Sequence, residues 1–448
     1  MANFSKSHAP RFSVDVYQNE YLPEGGREVN AIVTVSATGG GTVGSAITAP
    51  HLYAAGQAPD AAVAIMVDCS GSMDYPPAKM RGAREATAAA IDAVRDGVHF
   101  TVISGTHVAQ EVYPADGRLA VASAQTREQA KQALRRLSAG GGTAIGTWLR
   151  LADRLLSSAD VSIRHGILLT DGRNEHETPK DLRAALDSCA GRFTCDARGV
   201  GTDWEVKEVT GIASALLGTA DIVADPAALA ADFTQMMETA MGKEVADVAL
   251  RLWTPVGTKI KFVKQVAPRV EELTGRRSEA GPRAGDYPTG SWGDESRDYH
   301  VCVEVPSAGL GQEMLAARVS LVVPQSDGSV HNLGAQGLVR AVWTEDMVAS
   351  TSINPQVAHY TGQAELAQVI QQGLDARKAG DVDGATAKLG RAVQLASASG
   401  NADTAKLLAK VVDVVDAAAG TVRLKARVEE ADEMTLETRS TKTVRVKK

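Results

Sequence analysis

The segment that most limits what this chain can become is Val63-Ala64-Ile65-Met66-Val67-Asp68-Cys69-Ser70-Gly71-Ser72-Met73. Residues 61–67 are a continuous apolar run, long enough for a strand buried on both faces and too short for an ordinary helix. The run stops at Asp68, and oxygen-bearing side chains then recur on alternate residues: Asp68, Ser70 and Ser72. A helical pattern begins near Ala78. The three oxygens therefore fall at the carboxyl end of a predicted parallel strand, where open α/β sheets bind their ligands.

Two later segments follow the same grammar. Gly140-Gly141-Gly142-Thr143 is a flexible loop ahead of a helical pattern at 144–156, and Gly166-Ile167-Leu168-Leu169-Thr170-Asp171-Gly172 is again an apolar strand ending in an acid and a glycine. Asp68, Ser70, Ser72, Thr143 and Asp171 thus lie on three loops that a parallel sheet gathers at one edge. All five offer oxygen and none offers nitrogen or sulfur. Such a set suits a hard divalent cation in an octahedral shell completed by water, Mg²⁺ first and Mn²⁺ or Ca²⁺ next.

On these residues the sequence resembles a von Willebrand factor A domain with a complete metal-ion-dependent adhesion site, of the bacterial cytoplasmic type. The Asp68-x-Ser70-x-Ser72 pattern alone is a weak signal. Joined in order by Thr143 after its glycine run and by Thr170-Asp171-Gly172, it becomes a specific one. The resemblance covers residues 59–242. It implies that the three hydroxyls bind the ion directly while the aspartates act partly through water. The ion is then short of negative charge, and a Glu or Asp of a partner protein completes its shell. On that implication the protein is a metal-dependent interaction module or scaffold and not an enzyme.

The element order fits. After the first strand the patterns predict a helix over 78–96, a strand over 98–104, an edge strand over 107–113 and a helix over 127–137. Helix 144–156 and strand 165–170 follow, then helix 179–190, strand 193–200, helix 204–217, strand 221–223 and helix 226–241. This alternation implies a doubly wound, mostly parallel, Rossmann-like sheet covered by helices on both faces. Residues 1–58 and 243–347 instead show short alternating strands, among them 12–17, 29–35, 248–253, 299–305, 315–323 and 337–343. Neither stretch supplies a complete pair of sheets. The expectation is one antiparallel β-sandwich into which the α/β domain, 59–242, is inserted. Residues 38–44 and 274–295 read as loops.

Residues 357–420 read as a small helical cap, with a break at Gly380-Asp381-Val382-Asp383-Gly384 and a last helix over 402–418. The charged segment 421–448 lacks a core-forming pattern and is expected to be a mobile tail. Within it Thr435, Thr438, Thr441 and Thr443 are candidate phosphorylation sites for a forkhead-associated reader.

Composition narrows the function further. A net charge of −7 makes nucleic acid a poor partner, and no apolar run approaches membrane-spanning length. The first residues lack a signal-peptide core, so a cytoplasmic location is expected. Cys69, Cys189, Cys195 and Cys302 have no zinc-type spacing and read as free thiols. A Mg²⁺-dependent phosphohydrolase would want a second carboxylate two residues after Asp68, where this chain has Ser70, and His99, His107 and His165 have no triad partners nearby in sequence. No G-x-x-x-x-G-K-[ST] loop is present. The other open reading is an accessory subunit of an AAA+ ATPase or chelatase-type complex.

Overall fold

The computed structural model describes residues 10–38, 61–325 and 329–446. The loop expected at 38–44 lies, beyond Thr38, outside these residues. The chain forms two compact units: Gly41–Ala246, and a second made of Met1–Gly40 with Asp247–Lys448.

The second unit opens with β1 (Arg11–Gln18), β2 (Tyr21–Leu22) and β3 (Glu28–Thr38). The chain then enters the inserted unit. Its elements are β4 (Ala61–Asp68), α1 (Ala78–Ala93), β5 (His99–Gly105), β6 (Gln110–Tyr113), β7 (Ala120–Val121), α2 (Ala124–Leu134), α3 (Ile145–Leu156) and β8 (Ile163–Thr170). These are followed by α4 (Pro179–Cys189), β9 (Thr194–Val200), α5 (Val206–Ala215), β10 (Ala220–Val223) and α6 (Leu229–Met241).

The inserted sheet runs β10-β9-β8-β4-β5-β6, with β7 also on β5. Every pair from β10 to β5 is parallel, and β6 and β7 run antiparallel to β5. β4 is central, which is why its apolar run is unbroken. Val63, Ile65 and Val67 join Ala86, Ala90, Phe233 and Met237 in one core. The intervening Ala62, Ala64 and Met66 are equally buried, on the face where α3 packs, as the period of two requires. With both neighbours of β4 parallel to it, all the carboxyl ends point the same way.

The chain returns through β11 (Val245–Trp253), β12 (Lys259–Ala267), β13 (Glu271–Glu272), β14 (Ser278–Gly281), β15 (Ala284–Trp292), β16 (Glu295–Glu304), β17 (Glu313–Pro324) and β18 (Val330–Trp343). Two sheets result, β1-β3-β16-β12-β13 and β14-β15-β11-β17-β18-β2. Val14 and Val16 of one lie against Gly337 of the other, where a Cβ would be 2.6 Å from Val16 and 2.8 Å from Val14. The α/β domain is therefore inserted into an antiparallel sandwich whose sheets mix strands from before and after it.

Residues 274–295 are not the expected surface loop. They contain β14 and β15, with Tyr287 and Trp292 fully buried. Gly, Asp and Thr hid the strand from propensity, and tertiary partners supply what propensity lacks. Arg251 grips Asp286 through two bonds of 2.7 and 2.8 Å, Thr289 donates to the Val248 carbonyl, and Arg297 lies over the Trp292 ring at 4.2 Å.

The C-terminal elements are α7 (Met347–Thr351), α8 (Pro355–Lys378), α9 (Val382–Ala398), α10 (Ala402–Val411), β19 (Val412–Asp416), β20 (Thr421–Leu424) and α11 (Glu430–Arg439). Val357 and Tyr360 of α8 cover Ile32, Val266 and Ala267 of the sandwich. The helix expected over 402–418 stops at Val411. The β-branched run Val411-Val412-Asp413-Val414-Val415 continues as a strand instead.

The mobile tail is the clearest correction. Val422 and Leu436 sit in the same core as Leu366, Leu389 and Leu408. Three acids of this charged segment are matched by partners: Glu437 by Lys378 at 2.7 Å, Asp432 by Lys410 at 2.6 Å and Glu433 by Arg377 at 3.4 Å. Thr438 is buried and donates to the Met434 carbonyl. Thr435 donates to Ala431 and Thr443 to Val266, while the Thr441 carbonyl accepts from Val270 N–H. A phosphate on Thr438 would have to break this packing.

Candidate metal centre

Three loops at the carboxyl edge of the inserted sheet carry the five oxygen-bearing residues. Backbone bonds lash the loops together: Gly140 N–H to Cys69 O at 2.8 Å, Gly71 N–H to Gly141 O at 2.9 Å and Cys69 N–H to Gly105 O at 2.8 Å. The start of α3 is placed by Trp148. Its indole occupies the space where a Cβ on Gly105 would collide, and it donates to the Thr106 carbonyl at 2.7 Å. The loop after β8 caps the same helix, Asn174 accepting from Ile145 N–H at 2.8 Å and Glu177 from Gly146 N–H at 2.7 Å. Thr143, two residues before the first residue of α3, is thereby held at the sheet edge.

Asp68 is fully buried, and both of its carboxylate oxygens are bonded at short range. One carboxylate oxygen accepts from Ser70 N–H at 2.8 Å and the other from Thr170 Oγ1 at 2.7 Å. Ser70 and Ser72 hydroxyls lie 2.9 Å apart, and Ser72 donates to Asp171 Oδ1 at 2.7 Å. Asp171 Oδ2 is buried and accepts no well-aligned hydrogen bond, although the buried Lys79 ammonium lies 2.8 Å away.

The three hydroxyls converge on one point. A Cβ on Gly172 would lie 3.1 Å from Ser72 Oγ, 3.7 Å from Thr143 Oγ1 and 3.9 Å from Ser70 Oγ. Only a glycine leaves this cradle open. Hydroxyls around an open point, with two buried carboxylates behind them, fit a hard divalent cation. Among the described residues no group of three or more His, Cys, Asp and Glu could hold a metal.

Burial pushes the Asp68 carboxyl up to about 6, and the nearby charge of Asp171 adds to the effect. Burial alone would lower the pKa of Lys79, but its close pairing with the Asp171 and Asp203 carboxylates raises it overall. Cys69, inside the loop, is buried, and burial pushes its thiol up to about 12, which disfavours the reactive thiolate.

Sequence reasoning missed four contributors. Thr170 stands in the quoted third segment, yet its role as the donor that orients Asp68 is visible only in three dimensions. His107 and His176 flank the glycine loop, their Nδ1 atoms accepting from Gly142 N–H at 3.4 Å and Thr143 N–H at 3.2 Å. Lys79 is the fourth, and nothing in its sequence context marks it. His165 does gain partners, Thr194 and Asp196 at 2.9 Å each, but it is buried near the amino end of β8, away from the cradle.

The chain thus combines an α/β domain bearing a hydroxyl-and-carboxylate cradle at its carboxyl edge with a β-sandwich into which that domain is inserted. Family profiles for the von Willebrand factor type A domain and the von Willebrand factor type A C-terminal domain match residues 61–222 and 394–440. The von Willebrand factor type A protein from Catenulispora acidiphila is 52% identical over 99% of both chains, with a TM-score of 0.91. This chain belongs to the von Willebrand factor type A family, whose members commonly mediate metal-dependent protein interaction. Two more distant structures share the fold. The ArnB paralog VWA2 from Sulfolobus acidocaldarius is 13% identical over 96% of this chain and 98% of its own, with a TM-score of 0.61. The human COPII-coat protein Sec24c is 10% identical over 86% of this chain and 57% of its own, with a TM-score of 0.53. Among curated proteins none matches.

Proposed function

We propose that this protein is a scaffold that captures an acidic side chain of a partner protein through a Mg²⁺ ion held by Asp68, Ser70, Ser72, Thr143 and Asp171. The observation that carries the reading is the convergence of three hydroxyls on the open point beside Gly172. Ser70, Ser72 and Thr143 would hold the ion, with Asp68 and Asp171 behind them. Bound there, the ion supplies an electrophilic position for an outside carboxylate. The chain's own residues do the rest: they hold the hydroxyls in register, keep the two carboxylates dry and leave one side open.

The rim supports docking rather than chemistry. Tyr75, on the loop after β4, and Val108, on the loop after β5, are 82% and 52% exposed, apolar side chains of the sort a partner covers. No helix among the described residues is long and apolar enough to cross a membrane. The four cysteines are free and buried, as suits a reducing, cytoplasmic setting.

An affinity capture from native extract, with the full-length protein as bait in Mg²⁺ and in EDTA, tests this reading. A partner retained in Mg²⁺ and released by EDTA is the expected result. Equal capture in both refutes the mechanism.

A further inference from the structure

α1 begins with a side chain that the ion reading does not use. Lys79 is 8% exposed. Its Nζ lies 2.8 Å from Asp171 Oδ2 and 3.1 Å from Asp203 Oδ2. The other Asp171 oxygen accepts from Ser72, a cradle hydroxyl. Asp203 has a side chain 69% exposed and stands on the loop after β9. That loop is held by Trp204, whose indole fills the space over Gly199 and donates to Gly201 O at 2.9 Å. The ammonium is thus suspended between one dry carboxylate of the site and one carboxylate in water.

This arrangement has a definite electrostatic sense. Groups that hold a metal-ligating carboxylate usually strengthen it as a donor. A cation does the opposite, because it competes with the metal for the same negative charge. With Asp68 and Asp171 ionised and Lys79 charged, the cradle carries one net negative charge, and a divalent ion turns that into one net positive charge. Without Lys79 the loaded site would be neutral, and an outside carboxylate would gain less by joining it. Asp203 is screened by solvent, so its share of the ammonium weakens the effect without cancelling it.

We propose that Lys79 is a built-in counter-cation: it loosens the hold on the divalent ion and raises the loaded site's demand for an external carboxylate, while Asp203 sets how strongly it acts on Asp171. The proposal rests on the metal reading above and assigns Lys79 as a positioning and specificity-determining residue of that site.

The test uses Mn²⁺ titrated into the full-length wild type, K79M and D203N, followed by water-proton relaxation, with acetate then added to the Mn²⁺-saturated proteins. Met keeps the aliphatic stem of Lys79. K79M should bind Mn²⁺ about tenfold tighter or more, within the range over which groups around a metal ligand act, and should need more acetate to displace the bound water. D203N, a change at an exposed side chain, should bind Mn²⁺ more weakly than wild type, because the ammonium then falls wholly on Asp171. A merely structural lysine would give the reverse sign in K79M. If K79M binds Mn²⁺ no tighter than wild type, the proposal is overturned. If K79M does not fold, D203N decides, and unchanged binding there overturns it. A wild type that binds no Mn²⁺ removes the metal reading itself.

Discussion

Replacing Gly172 by Ala separates the ion site from the fold that carries it. The backbone of Gly172 is not in the left-handed region, so Ala meets no conformational strain there. The added methyl would stand 3.1 Å from Ser72 Oγ and 3.7 Å from Thr143 Oγ1. Without metal, the exposed Ser72 hydroxyl can yield by the few tenths of an ångström required. Loss of glycine freedom in the unfolded chain then offsets the contact, and stability in EDTA should change by less than about 1 kcal/mol. With metal the same displacement is not tolerated, because Mg²⁺ demands near-ideal octahedral oxygens at roughly 2.0–2.1 Å. Mg²⁺ at a hundred times its Kd would stabilise the wild type by about 2.7 kcal/mol. For units of roughly 150–250 residues each kcal/mol moves Tm by about 2–4 °C, so the expected Mg²⁺-induced rise is about 5–10 °C. G172A should melt within about 3 °C of wild type in EDTA and show little of that rise in Mg²⁺. Differential scanning fluorimetry of the full chain, at matched Mg²⁺ concentrations, reads both. A G172A protein with the full wild-type rise would refute the placement of the ion beside Gly172.

Other perturbations probe other parts of the molecule. Asp68 gives a signed pH dependence: its carboxyl is pushed up to about 6 from an ordinary 3.8. A carboxyl raised in the folded state contributes stability that is fully present below its unfolded value and is lost as pH rises through about 6, on the order of 3 kcal/mol for the metal-free protein. The ionised form is the one a cation needs, so Mg²⁺ affinity should fall about tenfold per unit below 6 and level off above it. Paired melts in EDTA and Mg²⁺ from pH 5 to 8 should show the gap widening up to neutrality, and a constant gap would contradict the burial of Asp68. Far from the cradle, Arg445 holds the buried Asp298 through bonds of 3.0 and 2.8 Å, beside hydroxyls from Thr34 and Tyr360. R445A should cost about 1–3 kcal/mol in urea unfolding, by leaving that carboxylate underpaired. No loss would mean that the C-terminal segment is not anchored there.

What local sequence determined about this protein is set by period and by end signals. A short apolar run that stops at Asp68 reads as a central strand with its carboxyl end at the sheet edge, and parallel strands gather such ends. The α/β fold, and the placing of oxygen-bearing residues at the carboxyl edge of its sheet, were legible for that reason. Tertiary structure decided the rest, where a residue's role depends on what arrives from far along the chain. Residues 284–292 became a strand because Arg251 and Arg297 satisfy polar groups that, alone, predict a loop. The charged segment after Thr421 became part of a core because α8 and α10 bring countercharges to it and Val422 and Leu436 find apolar neighbours. Lys79 is an unremarkable helix-start lysine in sequence, and only folding lays its ammonium against Asp171, because attraction between charges depends on distance in space and not on separation along the chain.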